Sequence, residues 1–478
     1  MIITHEEREK ERALFDAERK RVPELFLRPI MVDDEASLRA IGIQDVYGTL
    51  PVGYLKLWPQ DFIVEEISRE GNLCSVDVDE AAEGANGSDE GEGNTFYADL
   101  VKLGVSTLEA KSQLSQMIGV DEKNVSYAGI KDRAAVTSQA ISIRGINDIE
   151  RIRAAHADNF FLKNIRRGKG VVANGDLKGN RFTITVRLAA PLSQADQKDI
   201  QEKLEVAKTE GFWNFFYTQR FGTPRLISHR LGRLLLKGQY DEVVRMFCTY
   251  TGPRELPYFK AIREEVAAQW GNWTAIKEIF DRFPYHFGSE RTFIHYLREH
   301  PGDFHGALME LPDQIRLWFY AYDSYLFNRK LSDSIKTGSV PLRLPFLTSF
   351  NPADWEPYAE FLREDGVRMP SRSYRDFPFV RVESRSCITL QPIEIHNVTI
   401  QDRVAVFSFS LPKGSYATSF LMGFFMLASG LPIVPGISME QVDAKAILGT
   451  GTLASVLERF KTVLAQRQAD LEGSIGEE

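Results

Sequence analysis

Nowhere in the 478 residues is there a run of about 18 uncharged apolar residues, the length a membrane-spanning helix needs. The opening MIITHEEREKERALFDAERKR also lacks the apolar core of a signal peptide, so a cytoplasmic protein without membrane association is expected. Cysteine is scarce. Cys74, Cys248 and Cys387 stand far apart, which suggests neither a disulfide framework nor a CxxC metal knuckle, and they are expected to be reduced, buried fillers. There is no Walker loop, no GxGxxG turn and no HExxH pair, and the eight histidines are scattered. No cofactor and no metal is therefore expected. An excess of positive charge is missing too: the net charge is −8, which taken alone argues weakly against nucleic acid. Negative charge is gathered in a few places, notably Asp77–Glu92 (DVDEAAEGANGSDEGE), which has seven acids and no base and reads as a solvated loop, so the total charge is a poor witness.

What is present is an ordinary globular composition, 43% hydrophobic and 26% charged, in a chain long enough for two domains. Residues 5–21 are nearly all charged, with scattered Leu14 and Phe15, and predict a surface helix unable to anchor a core. DFIVEEI (61–67) and TFYADLVKL (95–103) read as strands on either side of the acidic stretch. Ser106 and Glu109 form a capping-box pattern before a helix that runs to Gly119. AISIR (140–144) and FTITVR (182–187) alternate as half-buried strands do. Beyond about residue 223 the texture becomes helical and aromatic. It returns to strand at VAVFSFSL, with Ala405, Phe407, Phe409 and Leu411 on one face. A single helix from about Thr452 closes the chain, with Leu453, Val456, Leu457, Phe460, Val463 and Leu464 as its stripe. The simplest architecture is an α+β domain interrupted by an inserted one.

Three segments could carry chemistry. In Tyr127–Gln139 (YAGIKDRAAVTSQ), Gly129 permits a tight loop and Asp132 stands between Lys131 and Arg133. A cation close to Asp132 would keep it ionised in a partly dry pocket, as a nucleophile or general base requires; a solvated turn is the competing reading. In Trp213–Gly222 (WNFFYTQRFG) five aromatics interleave with Asn214, Gln219 and Arg220, a mixture suited to an extruded base, although a buried strand would also use these aromatics. Between Leu162 and Arg187 there are seven cations, Arg166, Arg167, Lys169, Lys178 and Arg181 among them, against the single acid Asp176, and this favours a polyanion over a merely solvated loop. The aromatics of LWFYAYDSYLFN (317–328) lie at helical spacing and read as core.

Together these residues resemble the TruD family of tRNA pseudouridine synthases. PQDFIVEE (59–66) resembles its N-terminal motif, and AGIKDRAAVTSQ its GxKDxxAxTxQ segment. LKGNRF (177–182) is similar to LxGNxF, NFFYTQRFG (214–222) to NYFGxQRFG, and LPKGSYATS (411–419) to LPxGSYAT. Five motifs in order are a specific signal. The resemblance implies a pseudouridine-synthase core with a mixed, largely antiparallel sheet and flanking helices, interrupted by an inserted α+β domain. The expected division is an N-terminal appendage (1–50), a catalytic domain in two parts (51–239 and 387–470) and the insertion (240–386). It implies that Asp132 is the catalytic aspartate and that Phe216 packs against the target base. Asn214 would line the same pocket, with Gln219 and Arg220 in support. Lys56, near the first motif, is a candidate for the site's rim, and Lys131, beside Asp132, is a candidate for binding the substrate, although it need not point the same way as Asp132. The implied partner is tRNA, with a uridine at position thirteen as target, and no obligate protein partner is evident. Tyr217 stands where the family usually has Gly, and Met422 and Gly423 where it commonly has Arg and Glu; these departures bear on substrate choice. Two rival readings are an RNA-binding protein that has lost catalysis, and a carboxylate hydrolase pairing Asp61, Glu65 or Glu66 with Asp132. Solvated strand-edge positions are the simpler account of Glu65 and Glu66.

Overall fold

The structure is a computed structural model that describes residues 5–78 and 92–475. The acidic loop expected over Asp77–Glu92 therefore lies, except for its ends, outside the described residues. The chain divides into two compact units, residues 49–212 with 391–478, and residues 1–48 with 213–390. Among the described residues no helix is long and apolar enough to cross a membrane.

The first unit is built on a ten-stranded sheet. Its strands are β1 (Val52–Tyr54), β2 (Phe62–Ser68), β3 (Thr95–Lys102), β4 (Val125–Tyr127), β5 (Val136–Arg144), β6 (Phe160–Gly168), β7 (Leu177–Arg187), β8 (Glu394–Gln401), β9 (Val404–Pro412) and β10 (Met426–Ala428). The main path runs β8-β9-β7-β2-β5-β3-β6, with β1 joined to β10 and β7, and β4 to β5. Among the described residues, only β1 with β10 and β2 with β5 pair in parallel, so the sheet is mixed and largely antiparallel.

One face of this sheet carries Phe96, Ala98, Leu100, Ile141 and Ile143, which bury Ala110, Leu114 and Ile118 of the helix Thr107–Ile118. That helix begins with the expected capping box, Ser106 accepting from the Glu109 N–H while the Glu109 carboxylate accepts from the Ser106 N–H. It ends at Gly119, whose φ of +69° is the left-handed stop that glycine adopts without strain. The other face is covered by the C-terminal segment, where Phe460 packs on Phe161 and Lys445 reaches Glu65. Coverage on both sides corrects the expectation of half-buried strands: residues 182–187 and 405–411 are buried on both faces. The closing helix is also not continuous. It breaks at Phe460 into Ala454–Arg459 and Lys461–Ile475, with Leu453, Val456, Phe460 and Leu464 buried.

The second unit is mainly helical and is organised around the 26-residue helix Pro312–Thr337, whose Trp318, Phe319, Tyr322, Leu326 and Phe327 are core, as their spacing suggested. The helix Ser228–Leu236 crosses it closely at Gly232, where a Cβ would lie 2.1 Å from the Trp318 carbonyl oxygen. A two-stranded ribbon, Arg343–Pro345 with Ser386–Ile388, completes the unit. The N-terminal helix His5–Arg21 does more than the composition suggested. Leu14 and Phe15 pack on this core, and the Glu11 carboxylate accepts from the N–H groups of Tyr285 and His286. Residues 41–44 then lie along the long helix, with Ile41 and Ile43 buried.

Candidate active site

The loop carrying Asp132 joins β4 to β5 and is fixed from several directions. The Lys131 N–H donates to Thr107 Oγ1 at 2.9 Å, Thr107 donates to Gln139 Oε1 at 3.1 Å, and Gln139 Nε2 donates to the Gly129 carbonyl at 2.9 Å. Gly104 and Arg133 exchange two further bonds, N–H to carbonyl and guanidinium to carbonyl, both at 3.1 Å. Underneath, the Lys102 ammonium donates to the carbonyls of Asp132 at 2.7 Å and Val105 at 2.9 Å. A loop with its main chain so tied presents a side chain in one place, which is what positioned chemistry requires.

The Asp132 carboxylate itself remains open to solvent, with 36% of its side chain exposed. One oxygen pairs with the Lys56 ammonium and the other accepts from the Ala134 N–H at 3.0 Å. Burial works to raise its pKa. The Lys56 charge, the Ala134 N–H and the Lys102 charge outweigh burial and hold Asp132 below the ordinary carboxylate value. Lys56 adopts a left-handed backbone, φ +59°, uncommon for a residue with a side chain, and its ammonium also sits 4.3 Å over the Phe62 ring.

The neighbouring Lys131 turns away from Asp132. It is buried and pairs with Glu66, which is fully buried and also accepts from the Ala140 N–H. Burial raises the Glu66 pKa, with Lys131 opposing. Glu65, on the opposite face, accepts from the Val76 N–H and from Lys445. The reading of Glu65 and Glu66 as solvated edge carboxylates is thus corrected: β2 lies between β7 and β5, and both side chains are enclosed and paired. Asp61 is likewise taken by a bidentate pair with buried Arg187, so neither Asp61 nor these glutamates stands free to act with Asp132 as a glycosidase dyad.

The cations of Leu162–Arg187 do not form one patch. Arg166, Arg167 and Lys169 belong to the edge at β6, where Arg166 lies over Tyr97, Arg167 over Phe96, and Lys169 pairs with Glu92. Lys178 and Arg181 sit on β7 in the middle of the sheet, and Arg181 shares the face of Glu65 and Ser410 rather than that of Glu66. With His396 and Glu394 they line a concavity of about 490 Å³.

In the helical unit, the Phe216 ring is half-buried and edge-on to Phe327 at 5.3 Å, with Arg220 at 5.6 Å over its face. Asn214 donates its amide to the Ile388 carbonyl at 3.0 Å, and Gln219 is exposed. Tyr217 and Met422, two of the departures from the family pattern, are both buried. The three cysteines are free, with Cys74 and Cys248 buried and Cys387 half-buried.

Lys102 and Thr107 escaped the sequence reading. The signal for Lys102 was there: it continues the inward alternation Phe96, Ala98, Leu100, and a lysine at an inward strand position has to find acceptors.

A sequence profile described as tRNA pseudouridine synthase D (TruD) matches residues 45–344. A protein named probable tRNA pseudouridine synthase D from Methanopyrus kandleri is 32% identical over 349 residues, which span 68% of this chain and 84% of that one. A second, named probable tRNA pseudouridine synthase D 1, from Methanocaldococcus jannaschii, is 29% identical over 390 residues, 78% of this chain and 95% of the relative. Among solved structures, one from Methanosarcina mazei assigned to tRNA pseudouridine synthase D (TruD) superposes with a TM-score of 0.63 at 25% identity, covering 81% of this chain and 97% of its own.

Proposed function

The chain belongs to the TruD family of tRNA pseudouridine synthases, and from that premise we propose that Asp132 is the carboxylate with which it isomerises a tRNA uridine, the one at position thirteen. The observation that carries this reading is the state of Asp132: ionised, reachable by solute, and mounted on a loop tied at Gly129, Lys131, Asp132 and Arg133.

The reaction breaks the C1′–N1 bond and forms a C1′–C5 bond; the C5 proton leaves and N1 gains one. A base within a stem cannot present its sugar to a carboxylate, so the nucleotide is extruded, and Phe216 is the aromatic surface against which the base packs. Asp132 then acts on the ribose, by adding to C1′ or by taking the C2′ proton. Both routes begin from the ionised carboxylate that Lys56 and Lys102 favour. Asn214, Gln219 and Arg220 support the Phe216 segment, and Lys131 serves indirectly by neutralising Glu66 beneath the loop. The tRNA backbone is held by cations of the two strand groups, Arg166, Arg167 and Lys169 in one and Lys178 and Arg181 in the other.

The test is to incubate the protein and Asp132→Ala with an unmodified tRNA transcript and to map pseudouridine by carbodiimide labelling and primer extension. One stop with the parent and none with the variant, at equal tRNA binding, is expected. If neither makes pseudouridine in this transcript or in total RNA while both bind, the chain is an RNA-binding member of the family without the activity.

A further inference from the structure

The long helix Pro312–Thr337 presents Ser324 and, one turn further on, Phe327 and Asn328 to the segment 216–220, and each of the three engages it. Asn328, with no exposure to solvent, acts as a missing strand partner. Its Oδ1 accepts from the Phe216 N–H at 2.9 Å and its Nδ2 donates to the Phe216 carbonyl at 2.8 Å. The same Nδ2 donates to the Ile41 carbonyl at 2.9 Å, which ties the N-terminal segment to the same point. Phe327 abuts the Phe216 ring edge-on, and Phe346 lies 6.1 Å away. Ser324 accepts from Arg220 Nε at 3.0 Å, while Arg220 lies over the Phe216 ring.

An asparagine enclosed in a helical core is costly unless its amide is fully used, and leucine at this position would continue the apolar packing without that cost. Here both ends of the amide are spent on the peptide of one residue, fixing φ and ψ around Phe216, while Phe327 limits where its ring can go. Arg220, held by Ser324, faces the ring and limits it from another side.

We propose that this face of the helix is a positioning device for Phe216, with Asn328 its principal member. This rests on the reading of Phe216 as the surface against which the extruded base packs. Asn328 does not touch the substrate; it sets the place of the ring that does. Because tRNA is gripped mainly through its backbone, loosening this ring slows the chemical step of bound tRNA and leaves KM nearly unchanged. A misplacement of about 1 Å near reacting groups costs up to roughly a hundredfold in rate.

The test is a cycle on full-length protein with a tRNA transcript: parent, Phe216→Ala, Asn328→Ala and the double variant, each with kcat, KM and thermal midpoint. The expected result is a kcat for Asn328→Ala about 10-fold to 100-fold lower at similar KM, and a double variant no slower than Phe216→Ala. If Asn328→Ala lowers the midpoint but keeps kcat within about twofold, or if its loss multiplies with that of Phe216→Ala, the residue is structural only and the inference fails. If Phe216→Ala itself keeps full kcat, the base-packing reading fails first and the positioning device loses its purpose. Should Asn328→Ala not fold, Phe327→Leu and Ser324→Ala decide the matter. A kcat loss of about threefold or more in either, absent in the Phe216→Ala background, supports the proposal, and unchanged kcat in both overturns it.

Discussion

The ammonium of Lys102 donates to the main-chain carbonyl of Asp132 at 2.7 Å from a position with no exposure to solvent. Among the described residues no carboxylate pairs with Lys102, so its charge is balanced by carbonyl dipoles and, through space, by the Asp132 carboxylate. Burial pushes its pKa down to about 8, with Asp132 opposing. The lysine therefore has two effects on the site: it holds the loop in place, and it adds positive potential that keeps Asp132 ionised.

It follows that activity falls as pH rises through about 8, when Lys102 loses its charge. Stability moves the other way. Between about 8 and the ordinary lysine value of 10.5 the unfolded chain binds more protons than the folded one, so this group's contribution to stability increases with pH. Lys102→Met removes this basic limb of the kcat profile and lowers kcat by about tenfold or more at neutral pH, without a matching rise in KM. A variant that retained the limb near 8 would show that another group titrates there.

Lys56→Gln removes the charge that opposes burial at Asp132. The acid limb of kcat/KM then moves to higher pH, because the carboxylate regains a pKa nearer to, or above, its ordinary value. The sign for stability agrees: a carboxylate whose folded pKa is depressed stabilises above its unfolded value and loses that contribution as pH falls through the folded one. Overlaid pH profiles of parent and variant check this, and coincident acid limbs would assign the limb to a different residue.

The parts of the fold written locally were legible. The capping box at Ser106 and Glu109 and the β2 and β9 runs depend on neighbours within a few residues, and they stand where spacing put them. Asp132 was singled out through a motif, whereas Lys56 was named only as a candidate for the site's rim and not as its ion-pair partner, because it lies 76 residues away and nothing local shows which lysine reaches the carboxylate. The error at Glu65 and Glu66 has a similar origin. Acids in a strand look solvated until topology places that strand between two others and supplies Lys131 and Lys445 as partners. The basic run was divided for the same reason, since β6 is at the sheet's edge and β7 in its middle.

Glu66 and Lys131 form an enclosed pair under the Asp132 loop, so neither can lose its partner cheaply. Glu66→Gln or Lys131→Met should cost roughly 3–5 kcal/mol by leaving a buried charge uncompensated. Joining the two changes recovers part of this. Urea midpoints of the parent, the singles and the double measure the coupling, and strictly additive losses would mean that each residue acts through other contacts.

The separation of the two cation groups predicts different effects on RNA binding. Arg166→Gln with Lys169→Gln, at the sheet's edge, should reduce the slope of log affinity against log salt by about 0.7–0.9 for each phosphate no longer neutralised. Filter binding to a tRNA transcript at several salt concentrations reads this directly. A slope equal to the parent's would place the backbone elsewhere, with Lys178 and Arg181 the next pair to change.

Asp323, on the long helix beside Ser324, gives a third pH dependence. Burial raises its pKa to about 6, against the hydroxyl of Thr348 and the charges of Arg385 and Arg220, and its Oδ1 has no hydrogen-bond partner among the described residues. Between the ordinary aspartate value of 3.8 and about 6 the folded protein retains a proton that the unfolded chain releases. Stability from this group accordingly declines as pH rises across that window and levels off above it. Asp323→Asn keeps an oxygen for Thr348 and cannot ionise. The gain in its thermal midpoint relative to the parent should therefore widen from about pH 4 to pH 6 and then stay constant. A gap that is independent of pH would mean that Asp323 is ionised throughout, held so by Arg220 and Arg385. In that case Arg220, which lies over the Phe216 ring, would be neutralised from beneath, and Asp323→Asn would lower kcat instead of leaving it unchanged.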